Sequence, residues 1–377
     1  MPRLRITNCH THTFTDRHVP MRYPHGLLLP FRRRPWLLRG LGFAARALGH
    51  ESAAEALGRL HRFQCDSRSG GQAEIFARLV AQYPRGTRFV VLPMQMAGMG
   101  RGGLREGLSR QHDDLAALAS AWPGLVIPFA TCDPRLPGAA EEVRRCIGDL
   151  GFRGLKLYPR LGYAPDHPVL MREVYPLLDA RGLAVVSHCS RGGVTGRIKR
   201  ADADAFSHPM AFAPVLRAFP RMQVNLAHFG GQADWEAYIG EGIDPYDPAA
   251  RRGNFLVTLR EMIESGEFPN LWTDLSYTLF QSEAFLPFLG LFLDHPRVRA
   301  RTLFGSDFYM TRQEELSERA MAVRLRAGLG EALFGQLAET NPEVWLGERP
   351  ETTACNPCRS GRSDKEGRGK ESACLPI

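Results

Sequence analysis

Two histidines stand two residues apart near the N-terminus, in the segment Asn8-Cys9-His10-Thr11-His12. Side chains two apart on a strand share a face, so both imidazoles project the same way if this segment ends a strand. Imidazole nitrogen is a common zinc ligand. Alone, the pair is weak evidence for a metal, and its meaning depends on what other strand ends supply.

Three further residues with ligand or acid–base chemistry come directly after apolar runs: His188, His228 and Asp307. Counting back in twos places each on one face of its own strand; His228, for example, shares its face with Leu226 and Val224. A single histidine at a strand end is more often a hydrogen-bonded structural residue. Four histidines and a carboxylate at such positions predict a metal site.

Lys156 lies in a fourth apolar run, two residues before Tyr158 and on the same face. The chain otherwise uses arginine almost throughout, and its other lysines are Lys199, Lys365 and Lys370. A lysine in a strand therefore suggests a need for an amine, since lysine and arginine are not interchangeable. Pairing with an acidic neighbour, anchoring a substrate carboxylate and bridging two metals all remain open.

Short apolar runs alternate with longer amphipathic stretches, which is typical of βα units and a parallel sheet. Eight such units favour a single (β/α)₈ TIM barrel over residues 1–347, with the chemistry at the carboxyl ends of its strands. We expect a helical insertion at 25–66, after the first strand, and a disordered tail at 348–377. The predicted strands are 4–6 leading to His12, 89–92, 125–129, 154–158, 183–188, 222–228, 271–275 and 302–307.

The net charge of +8 is uneven, because residues 21–62 carry eight arginines against two glutamates. No nucleic-acid motif accompanies them, so a basic surface insertion is the expectation. No apolar run is long enough to span a membrane, and the N-terminus lacks the apolar core of a signal peptide, which predicts a cytoplasmic protein. Cys355 and Cys358 form the one CxxC, and we expect no zinc there because a structural site needs four ligands.

The ordered set of motifs resembles the amidohydrolase superfamily, and within it the amidohydrolase-related branch of metal-dependent TIM-barrel hydrolases. The branch also contains decarboxylases of unsaturated and aromatic acids. This sequence departs from the family's pattern in two places, and both affect the shape of the pocket. The insertion after strand one is long, and residues 341–347 match the family's closing motif loosely. The matching segments are residues 8–12, 151–159, 187–189, 227–231 and 304–308.

The resemblance implies that one zinc or similar divalent ion is held by His10, His12, His188 and Asp307. In that arrangement His228 is not a ligand and acts as general acid/base or as electrostatic support. A binuclear arrangement would carboxylate Lys156 to bridge two ions and recruit His228 as a ligand. Both versions stay open, with one ion favoured.

The hypothesis that follows is hydrolysis of a carboxylic ester, lactone or amide by a metal-activated water. Asp307 would move the proton to the leaving group, and His228 would stabilise the oxyanion. Tyr158, Arg160 and Arg191 lie just beyond strands four and five and are candidate contacts for a small, carboxylate-bearing substrate.

The alternative within enzymes is non-oxidative decarboxylation of an aromatic or unsaturated acid. A barrel that only binds ligands is a third reading, and nucleic-acid binding through 21–62 is a fourth. We expect neither a nucleic-acid nor a membrane partner. Self-association through the insertion remains open.

Overall fold

The computed structural model describes residues 4–242, 247–277, 285–308, 310 and 317–349. Within these ranges, eight strand segments of the chain pair in parallel and in sequence order. The third is interrupted at Phe129, and each half pairs with a different neighbour. The strands are β1 (Thr7–Thr11), β2 (Arg88–Val91), β3 (Val126–Pro128 and Ala130–Thr131), β4 (Gly154–Leu157), β5 (Ala184–Ser187), β6 (Gln223–Leu226), β7 (Leu271–Asp274) and β8 (Thr302–Leu303).

Backbone hydrogen bonds close the two sheets into one barrel. The amide of Phe129 donates to Val91 O over 3.2 Å, which carries β3 past its bend. On the other side the Cys9 amide donates to Phe304 O over 2.9 Å, and Thr11 bridges in parallel to Phe308. The predicted (β/α)₈ barrel is therefore confirmed.

Helical sequence follows the strands and covers the barrel. The α-helices are α1 (Leu29–Arg33), α2 (Trp36–Ala47), α3 (Glu51–Ser67), α4 (Gln72–Val80), α5 (Leu108–Ala121), α6 (Ala139–Gly148), α7 (Tyr175–Ala180), α8 (Arg200–Ser207), α9 (Ala213–Ala218), α10 (Gln232–Glu236), α11 (Pro248–Gly253), α12 (Phe255–Ser265), α13 (Phe285–Asp294), α14 (Pro296–Ala300), α15 (Glu318–Leu329), α16 (Glu331–Gly335) and α17 (Asn341–Trp345). Shorter 3₁₀ and π turns lie at Asp16–His18, Gly26–Leu28, Ala97–Met99, Pro159–Leu161, Leu170–Val174, Pro209–Phe212, Ala227–Phe229, Ala237–Gly242 and Gln336–Thr340.

The long segment between β1 and β2 is helical, as expected, and its centre is a pair of packed helices, α2 and α3. Within the described ranges no helix is long and apolar enough to cross a membrane. The predicted disordered tail, 348–377, lies outside the described residues except for 348 and 349, and the CxxC pair lies wholly outside them. Glu348 belongs to the folded part, since its carboxylate pairs with the Arg88 guanidinium through two contacts of 2.6 Å.

Strand alternation divides the core into an inner and an outer layer. Leu155 and Leu157 pack outward with the helices, which leaves Lys156 on the inner face of β4. Inside the barrel a separate cluster fills the lower part, and Trp345 of α17 packs against Phe129 there with ring centroids 5.7 Å apart. The polar side chains described next lie above this apolar plug.

Candidate metal centre and active site

Four histidines, His10, His12, His188 and His228, meet at the carboxyl end of the barrel; we call them the mouth histidines. All four are at most 4% exposed. On β1 the register shifts by one residue between Asn8 and Thr11, a β-bulge. The bulge lets Cys9 pack in the inner apolar cluster while His10 and His12 both reach polar partners at the mouth.

His10, His12 and Asp307 form a compact group whose ligand atoms lie within 4.8 Å of one another. Asp307 Oδ1 is 3.1 Å from His12 Nε2 and 3.7 Å from His10 Nε2. His12 donates from Nδ1 to Leu92 O over 2.7 Å, because a carbonyl can only accept. The opposite nitrogen therefore faces a carboxylate oxygen, and this close approach requires a proton or a cation between them.

The ionisation states in this group are those of a metal-binding donor set. Burial, then the nearby Lys156, lowers the pKa of His10 to about 3, so its imidazole is neutral. Burial opposes ionisation of Asp307, but the hydrogen bond with His12 and the other surrounding histidines outweigh it and lower the pKa of Asp307 to about 2, so its carboxylate is ionised. A neutral His10 imidazole beside an ionised carboxylate fits a divalent cation. The chemistry of these residues is therefore compatible with a bound divalent ion.

Asp274, at the end of β7, is a residue that the sequence reasoning missed. It is fully buried, and its carboxylate accepts from His10 Nδ1 over 3.0 Å and from Asn225 Nδ2 over 2.8 Å. Its other oxygen accepts from the amides of His228 and Ser276 over 3.1 and 3.0 Å. Asp274 thus holds the His10 ring with Nε2 facing Asp307, the usual arrangement around a metal-ligating histidine. The same alternation would have found it, since Asp274 stands two residues after an inward tryptophan, Trp272.

The prediction that alternation along the strand turns His228 into the barrel was wrong, although the ring does lie at the mouth. Val224 and Leu226 pack in the outer layer, so their face does not point into the barrel. Strand β6 ends at Leu226, and His228 adopts a left-handed backbone with φ of 72°, which redirects its ring inward. Asp307 is likewise left-handed, with φ of 59°. Such strained conformations concentrate at functional sites.

His228 lies between His10 and His188 in the array. Its ring centroid is 5.0 Å from that of His10 and 4.8 Å from that of His188. His228 Nε2 is 3.1 Å from His188 Nδ1, and Nδ1 is 2.8 Å from Ser276 Oγ. His188 therefore lies next to the compact group without belonging to it. Its role as a metal ligand stays a prediction.

Lys156 reaches the same group from β4. Its Nζ lies 3.1 Å from His10 Nε2, and burial lowers its pKa to about 8. A fully buried amine of reduced basicity is compatible with the neutral form that carboxylation requires, so both versions of the site keep the residues they need.

Of the three predicted substrate contacts, Tyr158 and Arg191 line the cavity and Arg160 does not. Tyr158 stacks on His188 with centroids 4.3 Å apart, and burial raises the pKa of its hydroxyl, which stays protonated at neutral pH. Arg191 lines the cavity but is held by Asp204 and Asp234 over 3.4 and 3.3 Å. Arg160 is buried and donates to Asp204 over 2.5 Å, and it is absent from the described cavity lining.

A cavity of about 810 Å³ opens over three of the mouth histidines, His12, His188 and His228. One part of its wall is polar, with His12, His228 and Asp307, and another is apolar. Helix α3 of the insertion supplies part of the apolar wall, including Leu60 and Phe63. The insertion is therefore part of the pocket.

A second group of ligand-type side chains lies between α5 and α6, outside the barrel. His112 Nδ1 is 2.7 Å from Glu142 and 3.1 Å from Cys146 Sγ. Its Nε2 accepts the Thr131 amide over 3.2 Å, so Nδ1 carries the proton and has no lone pair for a metal. This group is a structural hydrogen-bond network.

A family model described as Amidohydrolase matches residues 8–347. The chain belongs to the amidohydrolase family, whose members are metal-dependent enzymes. This confirms the resemblance drawn from the motifs.

Solved structures share the fold at low sequence identity. The match to 5-carboxyvanillate decarboxylase from Sphingomonas paucimobilis has a TM-score of 0.53 and 17% identity, over 92% of this chain and 99% of that one. A probable 2-pyrone-4,6-dicarboxylic acid hydrolase from Acinetobacter baumannii, with citric acid bound, gives 0.52 and 12%, over 91% and 99%. A 5-carboxyvanillate decarboxylase from Novosphingobium aromaticivorans, with bound manganese, gives 0.50 and 14%, over 91% and 97%. At these identities the matches establish the fold.

Proposed function

We propose that this protein is a hydrolase that cleaves a carboxylic ester, lactone or amide with one divalent metal ion at the barrel mouth. The observation that carries the proposal is the close approach of two electron-pair donors, His12 Nε2 and Asp307 Oδ1, in a buried group with the neutral imidazole of His10 and an ionised carboxylate. Zinc is the ion we favour, and manganese is supported by its presence in one related structure.

His10, His12 and Asp307 would hold the ion, with His188 as the fourth ligand. When bound, a divalent ion supplies Lewis acidity and lowers the pKa of water from about 15.7 towards 7. Asp274 and Leu92 O keep the two imidazoles in the tautomer that presents Nε2. The second arrangement, with two ions and a carboxylated Lys156, stays an alternative.

Proton transfer and stabilisation of the carbonyl oxygen are the work of side chains around the ion. Asp307 is ionised and accepts the proton of the attacking water, then delivers it to the leaving group. His228 and the protonated Tyr158 hydroxyl are the candidate donors for the carbonyl oxygen as negative charge develops on it. Arg191 would face a substrate carboxylate from the rim. Arg160 acts through Asp204, which it shares with Arg191, and so positions the rim.

The proposal is tested by metal content and turnover together. Metal-free protein is reconstituted with Zn²⁺ or Mn²⁺ and assayed on esters, lactones and amides. His10→Ala and His12→Ala should lose stoichiometric metal and activity, while a matched control at exposed His50 keeps both. Full metal retention and activity in His12→Ala would refute the proposal.

Decarboxylation of an aromatic or unsaturated acid is the second candidate, because two structurally similar proteins are named as decarboxylases. The same panel separates the reactions, since decarboxylation releases carbon dioxide without producing an alcohol or amine. We keep a small-molecule substrate and a cytoplasmic location as predictions.

A further inference from the structure

The apolar part of the cavity begins directly beside the proposed metal ligands and continues outward to the insertion. The Phe14 ring lies 5.6 Å from the His12 ring, and Phe63 of α3 lies 6.5 Å from Phe14. Met94 and Met96 line the same cavity from the loop after β2 and are at most 4% exposed. An apolar surface thus leads away from the reacting centre.

Helix α3 completes this surface with one of its faces. Ala56, Leu60 and Phe63 follow helical spacing, and all three line the cavity together with Leu57 and the charged Arg59 of the same helix. Leu57, Leu60 and Phe63 are partly exposed, so a ligand here would remove apolar area from water. The insertion therefore supplies the side chains that would contact the part of the substrate remote from the reacting bond.

The size of the cavity agrees with its composition. Ligand pockets of roughly 300–1,000 Å³ bury most of a drug-sized molecule. At about 810 Å³ this cavity is in the upper part of that range. A single-ring acid at the polar end would leave the α3 wall in contact with water.

We propose that the substrate is amphiphilic, with a long apolar chain seated on Phe14, Met96, Leu60 and Phe63. The reacting bond then lies at the mouth histidines, which rests on the proposed function. The α3 wall selects for length, because each buried methylene contributes about 0.8 kcal/mol, or about fourfold in affinity.

Binding is measured first, on metal-free protein, so that catalysis plays no part. The probes are 11-(dansylamino)undecanoic acid and dansylglycine, which differ in the length of the apolar chain. The long probe should bind at least tenfold more tightly. Leu60→Trp, which fills the wall, should weaken the long probe at least tenfold.

Leu48→Trp is the matched control, because Leu48 lies just after α2 on the same helical pair and is 74% exposed. It should leave both dissociation constants within twofold. Leu60→Ala provides a second variant if the tryptophan prevents folding, and should weaken the long probe at least fivefold. Equal binding of the two probes, or no change in either Leu60 variant, would overturn the inference.

A series of p-nitrophenyl esters of increasing acyl length gives the second measurement, on the metal-loaded enzyme. The value of kcat/KM should rise about fourfold per methylene over the first additions. Selective probe binding without hydrolysis of any ester would support the inference and count against the proposed function. If the esters are hydrolysed at rates that do not depend on acyl length and the two probes bind equally, the proposed function would be supported and the inference about the apolar chain would be overturned.

Discussion

Asp274→Asn tests whether this carboxylate sets the state of the metal ligands. The carboxylate accepts from His10 Nδ1 and Asn225 Nδ2 on one oxygen, and from the His228 and Ser276 amides and the Ser276 hydroxyl on the other. An amide of the same shape must point its NH₂ group at one of these donor pairs. Facing the two backbone amides costs both of their hydrogen bonds, whereas facing His10 costs the bond from Asn225 and reverses the bond with the imidazole.

If the NH₂ group faces His10, that ring accepts at Nδ1 and carries its proton on Nε2, which then has no lone pair for the ion. Loss of such a partner typically lowers metal affinity 10- to 100-fold, so about 1.4–2.8 kcal/mol is the expected change. Losing a hydrogen bond to this buried carboxylate also lowers the free energy of unfolding of the metal-free chain, by about 1.5–3 kcal/mol per bond.

Metal affinity is measured by competition between the protein and a chromophoric chelator for Zn²⁺ or Mn²⁺, and stability by urea unfolding without metal. Asp133→Asn is the matched control, because Asp133 is 1% exposed and pairs with Arg135. It should cost stability and leave metal affinity within twofold. A metal dissociation constant unchanged in Asp274→Asn would refute the reasoning.

Three further predictions concern stability. Gly193→Ala should lower the free energy of unfolding by about 2 kcal/mol or more, since its φ is 88° and a Cβ there would collide with the Tyr158 hydroxyl; urea unfolding measures it. Arg88→Met should cost about 1 kcal/mol, because it leaves Glu348 without its doubly bonded partner; calorimetry measures it. The metal-free chain should lose stability as pH falls below about 6.5. Burial lowers the pKa of three mouth histidines, so the unfolded chain binds protons first. For His10 the loss is about 1.4 kcal/mol per pH unit down to about pH 3, and His188 and His228 add a loss of the same sign.

The two substitutions each have a control variant, and the pH prediction has a result that would contradict it. Gly103→Ala should be nearly neutral, since nothing lies within 4 Å of its added Cβ. Arg46→Met should cost under about 0.5 kcal/mol, because Arg46 and Glu51 are both 63% exposed. Stability that stayed constant between pH 6.5 and 4 would contradict the assignment of neutral, buried histidines.

Much of the site could be predicted because period-two alternation and the barrel's geometry are local rules. The apolar runs located the strands, and the ends of these strands carried the candidate ligands. The rules failed where backbone conformation departs from the strand. His228 points inward through a left-handed turn, and the bulge in β1 breaks alternation between Cys9 and His10.

The sequence by itself determined the barrel, the family and the set of imidazoles and carboxylate at its mouth. Only the tertiary structure showed that Asp274 orients His10, that Arg160 is paired with Asp204, and that α3 walls the cavity. The physical reason is the distance along the sequence over which each kind of interaction acts. Alternation and helical spacing act between near neighbours, whereas these contacts join residues dozens to hundreds of positions apart, through the packing of separate elements.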